Sequence, residues 1–154
     1  MNFPSFDWFS QHCLEPRGQQ FAVLPEEQNS DYESGIVDIN GEHWRIRTAR
    51  ITPTKAGAFV AVWRRNADGE TEPFPADEAV SGLMVFVVDG HRRGCFRFTS
   101  ERLAELGITR GNRSPGKRGF RLYPSWCEEL NPTAARAQAA QASSFSVLNA
   151  NGAA

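Results

Sequence analysis

The run Leu83-Met-Val-Phe-Val-Val88 is apolar at every position, and it constrains the fold more than any other stretch of the chain. A strand with one face in water alternates apolar and polar residues, whereas a strand apolar throughout must be covered on both faces. Phe59-Val-Ala-Val-Trp63 makes the same demand. Two such strands require a sheet with material packed above and below it, and helices are the expected cover. With 154 residues, 40% hydrophobic and 11% aromatic, the chain is long enough to bury that core in one domain. The longest apolar run, Leu83 to Val88, is far too short to cross a bilayer, so no membrane role is expected.

Local signals supply the other elements. Ser5 is placed to cap a short helix carrying Phe6, Phe9 and Cys13 on one side and ending before Pro16. Gly35 to Ile39 reads as a strand, Asn40-Gly41 as a hairpin turn, and the chain returns from Glu42 with Trp44, Ile46 and Thr48 on one face and Arg45 and Arg47 on the other. Cys95-Phe-Arg-Phe98 and Phe120-Arg-Leu-Tyr123 alternate in the same way. Thr99 or Ser100 caps a helix that stops at Gly107, and Asn131 with Pro132 opens a last helix, rich in Ala and Gln, to about Ala142. The expected fold is α+β (or mixed α/β): a single domain over residues 1–142, a central mixed or antiparallel sheet with helices packed on it, and a frayed tail over residues 143–154.

Charge is distributed more tellingly than its total of −1 suggests. From His43 to Arg65 there are six Arg and Lys and no acid, and from Gly90 to Arg121 nine more against Glu101 and Glu105. Such segments, brought together by folding, present a positive face regardless of net charge. Like charges a few ångströms apart repel by about 1 kcal/mol per pair even in high dielectric, so clustered guanidinium groups need acids or a bound anion. If Arg45, Arg47, Arg97 and Arg121 leave their strands on a shared polar side, phosphate is the natural partner, because a guanidinium grips it with two parallel hydrogen bonds. Trp63 and Tyr123 interleave with the basic residues where they can stack on unpaired bases. Salt bridges to the acidic segments are the plainer alternative for each arginine.

Other chemistry is poorly supported. Gly111 to Lys117 matches GxxxxGK, but Arg118 stands where a P-loop needs Ser or Thr, and a strand follows instead of a helix. As a glycine-punctuated loop with Arg113, Lys117 and Arg118 it suits phosphate contact, or else is a mobile turn. A metal-dependent nuclease would take Glu33 or Asp38 as its first acid, yet Arg45 to Arg50 has no carboxylate where the second is needed. His12, His43 and His91 lack zinc-ligand spacing, and no nucleophile motif appears, so no catalytic residue, metal or cofactor is assigned. Cys13, Cys95 and Cys127 are odd in number and widely spaced, as ordinary reduced thiols of a cytoplasmic protein are.

The segment Ile46-Arg-Thr-Ala-Arg-Ile-Thr-Pro-Thr-Lys-Ala-Gly-Ala-Phe-Val-Ala-Val-Trp-Arg-Arg65 resembles the signature of the MepB family. Glu72-Pro-Phe74, Gly94-Cys-Phe-Arg-Phe98 and Gly116-Lys-Arg-Gly-Phe-Arg-Leu-Tyr-Pro-Ser-Trp126 are similar to its later elements, so the likeness runs from about Tyr32 to Ala142. The family is named for a small cytosolic protein encoded beside a multidrug efflux pump, and the resemblance implies a fold like that of type II restriction endonucleases. Ala135 to Gln141 departs from it, for the family's helix tends to carry aromatic residues there.

Signature and basic blocks coincide. The expectation is a nucleic-acid-binding module for DNA or RNA, contacting phosphate through Arg47, Arg50, Lys55, Arg64, Lys117, Arg118 and Arg121 with Trp63 and Tyr123 beside them. The rivals are a divergent metal-dependent nuclease, an enzyme acting on a small anionic substrate, and a module for an acidic protein partner.

Overall fold

The apolar run becomes the middle of a seven-stranded sheet. In the computed structural model, which describes residues 2–149 and the backbone of residues 152–153, helix α1 (Pro4–Phe9) runs into a π turn at Ser10–Leu14. Strands β1 (Phe21–Pro25), β2 (Gly35–Ile39), β3 (Glu42–Thr48), β4 (Arg50–Ile51), β5 (Ala58–Ala61), β6 (Trp63–Arg65), β7 (Thr71–Pro73), β8 (Gly82–Asp89) and β9 (Arg92–Thr99) follow. Then come α2 (Ser100–Glu105), β10 (Gly119–Leu122), α3 (Pro132–Gln141), β11 (Phe145–Asn149) and β12 (Gly152–Ala153). This is a mixed α+β fold in a single domain.

The large sheet has the order β1-β2-β3-β8-β9-β11-β12. All pairs are antiparallel except β3 with β8, where Arg45 lies beside Leu83 and Arg47 beside Val85. Parallel neighbours cannot be joined by a tight turn. The connection from residue 49 to 81 is therefore long, and it folds into the second layer: β4 and β5 join β10 in a three-stranded sheet, and β6 and β7 make a hairpin.

Alternation along β8 sends its side chains to two cores. Met84 and Phe86 meet Phe6, Cys13, Trp44 and Ile46 under the N-terminal helical segment. Leu83, Val85 and Val87 meet Phe96, Phe98, Val60, Phe120 and Leu122 on the other face. The N-terminal helical segment thus covers one face; the other is covered mainly by the second sheet, with Leu103 of α2 also packed there. Burying a phenylalanine as fully as Phe96 or Phe98 stabilises the fold by about 1.5–3 kcal/mol.

Both capped helices begin where expected: Thr99 Oγ1 accepts the Arg102 amide at 3.1 Å, and Asn131 Oδ1 accepts that of Ala134 at 2.8 Å. Ser5 is not a cap. Helix α1 starts at Pro4, two residues before the start a Ser5 cap would give, and the Ser5 amide donates to Glu33 at 3.0 Å. Several strands are additional: β1 alongside β2, β7 within the stretch expected to be a polar connection, and β11 alongside β9 with β12 beside it, formed by residues expected to fray. Positions 150, 151 and 154 of that tail lie outside the described residues.

Candidate nucleic-acid interface

Covering the β3 face of the large sheet has an electrostatic consequence. Arg45 and Arg47 project into the seam between the layers instead of into solvent, and both are buried. Desolvating a guanidinium is expensive unless a carboxylate and hydrogen bonds compensate. Glu26 supplies the carboxylate, with Oε1 2.6 Å from Arg47 Nη1 and Oε2 3.1 Å from Arg45 Nε. Arg47 donates further to Asn29 Oδ1 at 3.0 Å and to the carbonyls of Ile46 and Ala61 at 2.8 and 3.3 Å. Arg45 reaches Glu78 at 3.3 Å and lies over Phe74, 3.6 Å from the ring centroid. Burial pulls Arg47 below the usual arginine pKa, Glu26 pushes back, and neighbouring Arg45 lowers it a little more.

The expected four-arginine face is therefore dispersed. Arg47 is an internal ion-pair residue with its donors occupied, so it is corrected out of the exposed set. Arg97 lies on the opposite face of the large sheet, over Trp44 and 3.7 Å from Glu42. Only Arg121 is on the second layer.

That layer keeps the remaining sequence-predicted residues. Register places Arg121 of β10, Phe59 of β5 and Arg50 of β4 in one cross-strand row. Side chains on alternate positions, Ala58, Val60, Phe120 and Leu122, fill the core, so the row faces outward. Phe59 and Trp63, apolar residues expected in a strand covered on both faces, are both half-exposed. Tyr32 packs on Phe59, and Arg50 and Arg65 lie over Tyr32 and Trp63 at 5.3 and 5.1 Å.

Arg121 is pinned by its Nη2, which donates to Thr52 Oγ1 at 2.6 Å and to the Ala56 carbonyl at 2.8 Å. Those acceptors belong to the turn that carries exposed Lys55. Gly57 closes the turn at φ 79°, and a side chain there would strike the Leu122 carbonyl and the Tyr123 ring. Tyr123 thus flanks the row.

A second group forms on the hairpin. Glu72 accepts from Arg64 at 3.2 Å and from Arg110 at 3.0 Å, and two arginines on one carboxylate leave the group positive. The Arg110 hydrogen bond, and then that of Arg64, hold the Glu72 carboxyl below the ordinary carboxylate range, against the opposing effect of desolvation. Arg118 wraps the same strand through Thr71, with Nε and Nη2 each 3.1 Å from its carbonyl. Hydrogen bonds tie down the loop before it: Lys117 N donates to Ile108 O at 2.8 Å, Gly116 N to Ser114 Oγ at 3.1 Å, and Gly111 N to Ser114 O at 3.0 Å. With those amides spent internally, the exposed side chains of Arg113 and Lys117 are what the loop offers a partner.

Sequence reasoning missed Glu26, Asn29 and Glu78, and also Arg110 and Gln141. The acidic stretch after Pro25 was the available signal for the first. The carboxylates weighed for metal binding have other tasks: Glu33 takes the Ser5 amide and Asp38 the Gly41 amide in the hairpin turn, at 2.8 Å. Among the described residues no group of three or more His, Cys, Asp or Glu is placed to hold one ion.

A family model described as MepB-like matches residues 26–147. The chain belongs to the MepB-like family. A crystal structure of MepB is 36% identical, with a TM-score of 0.80 over 83% of this chain and 86% of that one. Comparison with curated proteins gives no match. The span matched as MepB-like opens on Glu26 and closes within β11, so it takes in the buried ion pairs and every basic residue of the outer layer, while α1 and β1 precede it. No described helix of this MepB-like chain is long and apolar enough to cross a membrane.

Proposed function

We propose that the chain binds nucleic acid along its outer layer, holding backbone phosphates with Arg50, Lys55, Arg64, Lys117, Arg118 and Arg121, with Trp63 and Tyr123 beside the strand. One observation carries this reading. Residues 50–75 and 106–123, which build the layer, contain nine Arg and Lys against Asp68, Glu70 and Glu72, a charge of +6 that leaves −7 on the rest of the chain. A positive face of this kind attracts a polyanion despite a net charge near zero. Arg47 has no part in it, because its donors are committed inside the protein.

Phosphate contacts fix position and carry no sequence information, so binding is weakly sequence-specific. A cytoplasmic setting suits cysteines that form no disulfide among the described residues. The test is fluorescence anisotropy of labelled DNA and RNA across a salt series. Neutralising six phosphates gives a log–log salt slope of about −5 on duplex DNA, and Lys117→Glu/Arg118→Glu flattens it. A slope near zero, or displacement of nucleic acid by an acidic protein surface at equal charge, refutes the proposal.

A further inference from the structure

Two open grooves border the Phe59 row, and they differ in sign. The one beside Trp63, about 580 Å³, has Glu27 and Asp31 facing Arg64 and Arg65. The other, about 480 Å³ between β10 and α3, is lined by Lys117 and Arg121 with no carboxylate among the described residues. Its walls are Phe59, Tyr123 and Leu106, and Ala137 of α3 closes the far side. Neither Lys117 nor Arg121 has an ion-pair partner among the described residues, although Arg121 Nη2 is committed to Thr52 and Ala56. Two like charges in a groove without a carboxylate favour a bound anion.

Hydrogen bonds tie the groove's edges together. Gln141 closes the outer edge of β10 as a neighbouring strand would, its Nε2 donating to the Arg121 carbonyl at 2.8 Å and its Oε1 accepting the Tyr123 amide at 3.0 Å. Both groove-lining residues are thereby held at the backbone, and Arg121 is held again at its guanidinium. Its size falls within the usual range for small-ligand sites, about 300–1,000 Å³.

The geometry points to a nucleotide subsite: Lys117 and Arg121 hold one phosphate, and the attached base, unpaired, lies against the aromatic wall of Phe59 and Tyr123. This rests on the nucleic-acid reading above and adds to it a preference for single strands, since a duplex keeps its bases inside the stack. Every base has a stacking face, so the subsite tolerates any sequence.

The test compares three labelled probes of equal phosphate count: a short oligothymidylate, its abasic counterpart and a hairpin duplex. Wild-type protein is set against Ala137→Glu, which puts a carboxylate in the groove, and Ala139→Glu, which puts one on an exposed turn of the same helix outside it. Glutamate is a good helix former, and circular dichroism checks that both fold. The expected result is oligothymidylate bound about tenfold more tightly than the abasic strand, from stacking of a base, with that advantage abolished by Ala137→Glu and kept by Ala139→Glu. Equal affinity for oligothymidylate and abasic strand overturns the subsite while leaving phosphate binding intact. Equal loss in the two variants overturns it as well. Absence of binding to all three probes at low salt overturns both readings.

Discussion

Glu26→Gln tests whether Arg47 belongs to the interior. Glu26 is the one carboxylate within 4.0 Å of Arg47 among the described residues and, at 9% side-chain exposure, is nearly as buried as its partners. The substitution keeps shape and removes charge, and either way the new amide is turned, an N–H faces a guanidinium N–H. Arg45 retains Glu78, but Arg47 is left with neutral acceptors only: Asn29 and the carbonyls of Ile46 and Ala61. Breaking a buried ion pair from one side costs about 3–5 kcal/mol, a large part of the roughly 5–15 kcal/mol that keeps a domain folded. With a urea m-value of about 2 kcal/mol/M, the denaturation midpoint falls by about 1.5–2.5 M at unchanged slope. Arg47→Met should be milder, within about 2 kcal/mol, because Glu26 still faces Arg45 and an apolar chain of similar length fills the seam. Arg47→Met should also bind nucleic acid within about twofold of wild type, less than the loss of one interfacial contact costs. A Glu26→Gln variant destabilised by no more than about 0.5 kcal/mol, or an Arg47→Met variant that folds but loses binding, would refute this placement.

Gln141→Ala unpairs the Arg121 carbonyl and the Tyr123 amide at the edge of β10, and chemical denaturation should register a loss of about 1–3 kcal/mol. Glu72 ionises below the ordinary carboxylate range when folded, so its contribution to stability is complete above the unfolded pKa and is lost as pH falls through the folded one; carbon-detected NMR titration should show Arg110→Ala raising that pKa more than Arg64→Ala does. Burial pushes the Cys95 thiol up to about 12 and also raises Cys127, so a thiol reagent at mildly alkaline pH should label half-buried Cys127 slowly and Cys95 only on unfolding. Rapid labelling of Cys95 in the native protein would count against its packing between the sheet and the N-terminal segment.

Sequence carried the local features and lost the tertiary ones. The hairpin at Asn40-Gly41, the caps at Thr99 and Asn131 and the span of β8 all depend on residues within a turn or a strand of each other, and all are present. Strand β11 was hidden because Phe145-Ser-Val-Leu148 pairs with β9 across some fifty residues, and its composition resembles a tail. The arginines of β3 were misplaced for a related reason. Alternation separates the two faces of a strand but does not say whether the polar face meets water or another layer. Nothing local to Arg47 distinguishes it from Arg121, whose alternation is the same; only the crossover from β3 to β8, folded back over the sheet, makes one internal and leaves the other at the surface. Phe59 and Trp63 show the converse, apolar residues that the same crossover leaves on the outside.

This crossover also explains how a chain with net charge −1 can separate its charges. The acidic remainder includes Glu26 and Glu78, which point into the seam and neutralise Arg45 and Arg47 there. With those two arginines inside, the cations of residues 50–75 and 106–123 have Glu72, shared by two arginines, as their one ion-pair partner among the described residues. On the proposed function, the residues outside these two stretches carry a net negative charge, so a polyanion would associate through the outer layer and would not wrap the domain. Because the attraction comes from a charge pattern instead of an excess, it weakens faster with distance than that of a uniformly basic protein. Ionic strength should therefore act chiefly on contacts already formed, slowing association little and accelerating dissociation, which stopped-flow mixing of labelled oligonucleotide at two salt concentrations would read directly.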